Sequence, residues 1–209
     1  LSARYNLLTA TDTFSAAAWL TSPAWSVDIG DAAPDNSATA IKITSLTGNA
    51  APNRVVTATS GAVTFLIYAK AGTHAPAFLV RNNTTATPLV SSTTSIGSHS
   101  SSYGTGTTTD AGNGWRKVVI SITSGVTAGD NIGLYWGASG AVPVGQYWWI
   151  WHPDFRATND GVGLPDYQRV TDANTYDTAG FPLYLRFDGV DDWLQTAAVD
   201  FSGTDKATV

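Results

Sequence analysis

The chain contains no cysteine, which excludes disulfide bonds, thiol catalysis, cysteine-ligated zinc and iron–sulfur clusters. Glutamate is also absent, so all 16 acidic residues are aspartate. This removes half of the carboxylate side chains that glycosidases and metalloproteases commonly use, although aspartate alone can still serve. Methionine is missing as well.

Charged side chains of either sign are scarce. Eleven basic and 16 acidic residues give a net charge of −5 over 209 residues. No basic run exceeds the pair Arg116 and Lys117, which argues against nucleic acid and against anionic membranes as partners. No apolar run approaches the ~18 residues of a membrane-spanning helix. We therefore expect neither a nucleic-acid partner nor a membrane partner.

Serine, threonine, glycine and aromatic residues are abundant in the sequence. The sequence holds 20 glycines, 8 tryptophans, 8 tyrosines and 7 phenylalanines. β-branched and aromatic residues favour strands, and glycine favours turns. The composition is typical of an extracellular β-sandwich and not of an α/β enzyme.

Short segments with strand character recur along the chain. In the strongest of them Val63, Phe65 and Ile67 alternate with Thr64 and Leu66, which is the period of a strand. Regular short strands separated by turn residues predict an all-β, antiparallel β-sandwich. The segments are 38–44, 63–71, 77–81, 115–123, 131–136 and 146–152.

Two other features of the sequence predict a loop and the domain boundaries. Residues 91–114 are almost entirely serine, threonine and glycine, which predicts a long exposed loop with one edge strand; a mobile binding loop around Tyr103 and His99 is the alternative. A composition break follows residue 157. We predict a domain over 1–157, a linker over 158–180 and a C-terminal extension over 181–209.

Four segments recur in a recognisable order: an opening at 5–14, a joint at 33–38, a glycine–tryptophan strand start at 114–118 and a closing strand at 148–155. Together they resemble the carbohydrate-binding jelly rolls found beside cellulases and xylanases. The resemblance implies a jelly-roll topology and non-catalytic binding of a polysaccharide or cell-surface glycan.

A further resemblance is to a branch of this fold in phage and prophage tail and minor structural proteins. Residues 165–170 (Pro-Asp-Tyr-Gln-Arg-Val) look like the linker of those proteins, and residues 185–194 look like the first strand of a concanavalin or laminin-G-like sandwich. The resemblance implies that 181–209 begins a second domain. It also implies a virion or extracellular location, with other virion proteins as further partners.

The segment 146–152 carries the densest aromatic run of the chain. Side chains alternate along a strand, so Tyr147, Trp149 and Trp151 share one face while Trp148 and Ile150 share the other with His152. We expect Trp148 to lie in the core and the first set to face outward. Burial of both sets is the alternative.

An outward row of flat rings suits the apolar face of a sugar. We therefore expect Tyr147, Trp149 and Trp151 to form a carbohydrate-binding platform. Tyr135 points away from the apolar face of its own strand, and we expect it to join them.

Asp12 and Asp154 match positions around the calcium site of the cellulase-associated modules. The resemblance thus implies a structural Ca²⁺, which needs six to eight oxygen ligands. Ser15 stands where that family usually has glutamate, and Pro153 replaces one of a pair of aspartates. Helix capping and turn hydrogen bonds are the alternative roles for these two carboxylates.

Three functions compete at this point. The first is non-catalytic carbohydrate binding, and the second is a purely structural spacer in a virion or appendage without a ligand. The third is a glycan-degrading enzyme, which needs two carboxylates ~5–10 Å apart in a cleft. The aspartates outside obvious turns are Asp28, Asp110, Asp130 and Asp154. We expect a binding protein and not an enzyme.

Overall fold

The computed structural model describes residues 4–14, 19, 24–48, 52–91, 99–136, 142–158 and 165–181. Within these residues the chain forms eleven strands, and no helix there is long and apolar enough to cross a membrane. The strands are β1 Trp25–Asp31, β2 Ala40–Ser45, β3 Asn53–Thr57, β4 Val63–Ala71, β5 Phe78–Asn82, β6 Thr87–Ser91, β7 His99–Ser100, β8 Gly104–Gly112, β9 Trp115–Ile122, β10 Asn131–Trp136 and β11 Tyr147–Ala157.

The strands build two sheets that pack face to face. A seven-stranded sheet has the order β1-β2-β11-β4-β9-β8-β7, and a four-stranded sheet has the order β3-β10-β5-β6. Every described strand pair is antiparallel. The predicted all-β antiparallel sandwich is confirmed, whereas the jelly-roll topology stays a prediction.

Aromatic rings join the two sheets across the core. Phe65 of β4 stacks on Trp136 of β10 with ring centroids 6.0 Å apart, and Trp19 lies 4.8 Å from the same Trp136 ring. Trp148 of β11 is fully buried and meets Trp25 edge-on at 5.4 Å. Each such ring removes ~150–250 Å² of surface from water. The core therefore depends on a few large side chains.

The central strand β4 shows how the sequence sorts its side chains. Phe65 and Ile67 point into the core and are at most 2% exposed, while Tyr68 and Lys70 lie half-buried on the outer face of the seven-stranded sheet. The bounds of β4 agree with the prediction from apolar alternation. Because of this alternation, Tyr68 and Lys70 lie on the outer face of the seven-stranded sheet, where the candidate site is found.

Strand β8 is a nine-residue strand within the segment 91–114, where the sequence predicted a long loop with one edge strand. Its bounds could not be predicted from apolar alternation. It pairs along its length with β9, and its inward positions include Gly104 and Gly106. A side chain at Gly104 would collide with the backbone of Ser121 on β9. Close backbone contact here requires glycine, so the strand has no hydrophobic pattern.

Residues 165–181 fold back onto the sandwich through a buried polar network. The Gln168 side-chain oxygen accepts hydrogen bonds from the backbone N–H groups of Tyr5 and Asn6 at 2.7 and 3.0 Å. The Asn6 side chain donates to the Gln168 carbonyl at 2.8 Å. Paired polar groups of this kind hold a segment without an apolar stripe.

The predicted linker 158–180 is therefore in contact with the first domain from residue 165 onward. Val170 within it is fully buried, and Phe181 at its end stacks on Tyr5 with centroids 5.8 Å apart. The three domain boundaries stay predictions. The proposed start of a second sandwich after residue 181 lies outside the described residues.

Candidate functional site

Strand β11 divides its aromatic residues between two environments. Trp148 and Ile150 are fully buried in the core, as expected, and Tyr147, Trp149 and Trp151 lie on the outer face of the seven-stranded sheet. The predicted register of β11 is confirmed. What the alternation did not determine is how far each outer ring reaches solvent.

Tyr147 and Trp149 form a half-buried aromatic pair on that outer face. Their ring centroids are 5.1 Å apart at an angle of 81°, an edge-to-face arrangement. The Trp149 indole Nε1 donates to Asp31 Oδ2 at 2.6 Å, which fixes the orientation of the ring. Asp31 on β1, two strands away in the sheet, and Tyr147 on β11 itself thus both contact the Trp149 ring.

Two lysines flank this pair. Lys42 Nζ lies 4.5 Å from the centroid of the Tyr147 ring, and Lys70 Nζ lies 5.4 Å from that of Trp149. Both distances are within the range of cation–π attraction. Neither ammonium group has a carboxylate at ion-pair distance within the described part of the chain. We call Tyr147, Trp149, Lys42 and Lys70 the aromatic patch.

Trp151 faces outward but is covered, being only 7% exposed. Its Nε1 donates to Thr39 Oγ1 at 2.9 Å, and Tyr68 packs edge-on against its ring at 5.2 Å. The expectation of an open stacking ring at Trp151 is therefore corrected. Trp151 belongs to a second apolar cluster, which it forms with Ala33, Ala40 and Trp115.

A β-bulge beside Trp151 explains part of this cover. The register of β11 against β4 shifts between Trp151 and Asp154, and His152 has a positive φ of 48°. A bulge can turn a side chain to the other face of a strand. The His152 ring consequently stacks between the rings of Trp151 and Tyr167, and the ring centroids of His152 and Tyr167 are 3.8 Å apart. Simple alternation had placed His152 beside Trp148.

Tyr135 lies on the other sheet, which corrects its expected place in the platform. Strand β10 pairs with β3 and β5 in the four-stranded sheet, so its outward residues face away from β11. The Tyr135 ring covers Gly133, where an added Cβ would come within 2.7 Å of ring atom Cε2. Its hydroxyl donates to Asn83 Oδ1 at 3.4 Å.

The two aspartates expected to bind calcium, Asp154 and Asp12, both have hydrogen-bond partners in the protein. Asp154 is 1% exposed, and Arg156 donates to Oδ1 at 2.7 Å and to Oδ2 at 2.5 Å. The Gln168 backbone N–H donates to the same Oδ2 at 2.9 Å. Burial raises the pKa of Asp154, and the bonds from Arg156 oppose this shift. The carboxylate charge is already paired with a guanidinium.

Asp12 lies on a different segment and has a different partner. Its Oδ2 accepts from Thr171 Oγ1 at 2.9 Å, while its Oδ1 is buried and has no hydrogen-bond partner among the described residues. Across that part of the chain, no group of three or more histidines and aspartates is arranged to hold a metal ion. The structural Ca²⁺ stays a prediction.

The remaining aspartates considered for catalysis have partners of their own. Asp110 forms an ion pair with Arg116 at 3.6 Å, and Asp130 accepts from Asn82 at 2.8 Å and from a backbone N–H. Asp28 is exposed on β1. The structure does not bring these carboxylates together into one cleft with Asp154.

A pocket of about 240 Å³ opens beside the covered end of β11. The N-terminal segment, the residues before β2, the bulge of β11 and the folded-back segment all contribute to it. Its described lining is Thr11, Asp12, Thr39, Ile41, Trp151, His152, Tyr167, Arg169 and Asp177.

Burial shifts the ionisation of two aromatic groups at this pocket. It lowers the pKa of His152 to about 4, although Asp35 and Asp177 oppose the shift, so this imidazole is neutral at pH 7. Burial also raises the pKa of Tyr167, whose hydroxyl shares a 2.9 Å hydrogen bond with Thr11 Oγ1. Both rings are therefore uncharged.

Sequence reasoning missed most of the pocket. Tyr167 and Arg169 fall in the motif at 165–170, which was interpreted as a linker, and Asp177 follows it. A signal was available, because an aromatic residue, a glutamine and an arginine in close succession are unusual in a flexible linker. That signal argues against a flexible linker but does not say where the segment packs, which depends on distant partners such as Tyr5 and Asn6.

Neither protein-family models nor curated protein sequences give a match to this chain.

Proposed function

We propose that the domain binds carbohydrate without catalysis, through the aromatic patch on the outer face of its seven-stranded sheet. The observation that supports this most is the pairing of two partly exposed rings, Tyr147 and Trp149, on a strand inside the seven-stranded sheet. An open sheet face that carries aromatic rings offers a sugar an apolar surface of matching shape. A polysaccharide or a cell-surface glycan is the ligand class.

The fixed geometry of Trp149 favours affinity. Its hydrogen bond to Asp31 and its contact with Lys70 hold the ring before a ligand arrives. A side chain that is already ordered loses little conformational entropy on binding. Stacking then gains from apolar burial at ~25 cal/mol per Å².

The two lysines supply the polar part of the contact. Each ammonium group has three donors and rests against a ring without a carboxylate partner among the described residues. Hydroxyl oxygens of a sugar on the patch are acceptors for these donors. A virion or extracellular setting, with other virion proteins as neighbours, rests on the sequence resemblance alone.

A purely structural spacer is the second candidate, and one observation favours it. Of the seven tryptophans in the described residues, Trp149 alone is more than 7% exposed. Buried tryptophans stabilise the core, so their number is explained without a ligand. Acrylamide quenching of tryptophan fluorescence in wild type and Trp149→Ala measures the contribution of that one ring.

The decisive experiment compares two aromatic truncations on opposite faces of the sandwich. Glycan arrays and affinity gels are run with wild type, Trp149→Ala and, as the matched control, Tyr135→Ala. We expect Trp149→Ala to weaken binding about tenfold or more and Tyr135→Ala to leave it unchanged. The opposite pattern would move the site to the four-stranded sheet. No binding by the folded wild type to any glycan would favour the spacer.

A further inference from the structure

We propose that the aromatic patch binds an acidic polysaccharide, and that Lys70 selects it by pairing with the carboxylate of a uronic acid whose ring lies on Trp149. The proposal rests on the carbohydrate binding proposed above and narrows its ligand class. Lys70 and Lys42 differ in their surroundings, and this difference assigns the carboxylate to one side of the patch.

The two lysines lie on either side of Trp149, in one row across the sheet. Trp149 of β11 pairs in register with Lys42 of β2 and with Lys70 of β4. Paired residues point to the same face of a sheet, and neighbouring strands are ~4.8 Å apart. A sugar ring on Trp149 is therefore within reach of both ammonium groups.

Lys42 has two acidic neighbours on the edge strand β1. Asp28 lies opposite Lys42 in the register of β1 and β2. Asp31 also lies on this face, since its Oδ2 accepts from the Trp149 indole. Both carboxylates lower the positive potential around Lys42. A carboxylate of the ligand is consequently disfavoured on the β1 side of the patch.

Lys70 has uncharged neighbours on both adjacent strands. It pairs in register with Trp149 on one side and with Trp115 on the other. Asp110 on β8, one strand further, is already paired with Arg116 at 3.6 Å. Among the residues that the structure describes, no carboxylate is at ion-pair distance from the Lys70 ammonium group. Its charge remains available to a ligand.

The position of Lys70 relative to the indole suits a uronic acid. Its Nζ lies 5.4 Å from the centroid of the Trp149 ring, on a strand away from Asp31. The carboxylate of a uronic acid is attached to the sugar ring and lies at its rim. A sugar with its apolar face on the indole can therefore place this group against Lys70. Because Lys70 is half-buried, solvent screens the pair less than a fully exposed one.

The chain as a whole does not attract polyanions, because its net charge is −5. A preference for an acidic glycan must then arise from a local site. Removing a single lysine should consequently change this preference measurably.

The test compares oligosaccharides of galacturonate, mannuronate and guluronate with their methyl esters, which keep the ring and remove the charge. Calorimetry at pH 7 and low salt gives the affinities of the full 209-residue wild type, Lys70→Gln, Lys70→Arg and Lys42→Gln. Lys42→Gln is the matched control, because it removes the same charge from the other side of Trp149. Thermal midpoints verify that each variant is folded, and poly-L-glutamate tests for binding by charge without a sugar ring.

We expect wild type to bind at least one acid about fivefold tighter than its ester. Lys70→Gln should abolish this preference, Lys70→Arg should keep it, and Lys42→Gln should change it less than about twofold. Higher salt should weaken binding of the acid by wild type and leave binding of the ester unchanged, which tests the charge pairing without any variant.

Equal affinity for each acid and its ester, or array binding to neutral glycans alone, would overturn the proposal and leave carbohydrate binding in place. An acid preference that survives in folded Lys70→Gln, or that Lys42→Gln abolishes equally, would overturn the role of Lys70. Equally tight binding of poly-L-glutamate would show that the sugar ring is not recognised. No binding of any glycan by folded wild type would remove the proposed function as well.

Discussion

The outer face of β11 has two halves that differ, although they belong to one strand and one face. Tyr147 and Trp149 are partly buried, whereas Trp151, two residues further along, is 7% exposed. The difference lies in what contacts each ring. Lys42, Lys70 and Asp31 contact the first half, and Trp149 also packs against the second apolar cluster. Thr39, the bulge and Tyr167 cover the second half.

This contrast shows that the side of the sheet to which a residue points and the burial of that residue are separate properties. Alternation decides to which side of the sheet a residue points. Burial on that side depends on segments far away in the sequence, here residues 165–181. The open half therefore presents ring surface to a ligand, whereas the ring surface of the covered half is used within the fold.

The largest effect is expected on the core side of the same strand. Trp148→Ala removes a fully buried ring that contacts Trp25, and the cavity should cost about 3–5 kcal/mol of unfolding free energy. Denaturant unfolding measures it. A Trp148→Phe control should recover much of the loss. If Trp148→Ala is silent while Trp149→Ala unfolds the chain, the register of β11 is inverted.

Trp151→Ala should also destabilise the protein, by about 3 kcal/mol, because the ring is enclosed and hydrogen-bonded to Thr39. Sequence alternation alone predicted less than about 1 kcal/mol for this outward residue. The same denaturant experiment distinguishes the two values. A Thr39→Val variant isolates the part that belongs to the hydrogen bond, and a silent Trp151→Ala would mean that the cover is absent in solution.

His152 makes the covered half sensitive to acid. Its pKa in the fold, about 4, lies below the 6.5 of an unfolded histidine, so the unfolded chain takes up the proton first as pH falls. Its contribution is fully present above pH 6.5 and is lost on acidification towards pH 4. Wild type should lose at most about 3 kcal/mol more than His152→Asn between these pH values.

Asparagine is the suitable replacement because it tolerates the positive φ at this position. The aspartates titrate in both proteins, so their contribution cancels in the comparison. Equal pH dependence of the two unfolding free energies would show that the imidazole titrates normally.

The smallest stability effect belongs to the open half. Trp149→Ala should change the unfolding free energy by no more than about 1 kcal/mol, because the ring is only partly buried and packs at the edge of the second apolar cluster. Its bond to Asp31 is solvent-exposed and contributes little. Thermal unfolding of Trp149→Ala and Asp31→Asn measures this. A loss equal to that of Trp151→Ala would erase the contrast between the two halves.

The strands that the sequence predicted are those with apolar alternation. The bounds of β4 and β10 agree with prediction, and β2, β5 and β9 differ by a few residues. β11 runs on to Ala157, past the expected end at residue 152, because the bulge lets it continue beyond His152 and Pro153. β1, β3 and β6 were missed. β3 and β6 lack apolar alternation, whereas Trp25, Val27 and Ile29 of β1 do alternate with polar residues or glycine, and this signal was overlooked.

The candidate sites were predictable to different degrees. Trp149 and Tyr147 followed from alternation around a core residue, which needs only local geometry. Tyr135 could not be assigned to the correct side, because sheet membership depends on which strands pair. The pairing of Asp154 with Arg156 was equally hidden, although the two lie two residues apart on the same face of β11.

The sequence by itself determined the fold class, the absence of thiol chemistry and the side of β11 on which each ring before the bulge lies. These follow from composition and from the two-residue period of a strand, which are local properties. Only the tertiary structure decided that Trp151 is covered and that residues 165–181 fold back onto the sandwich and complete a pocket. These depend on contacts between segments more than a hundred residues apart, such as Asn6 and Gln168, and no local pattern encodes them.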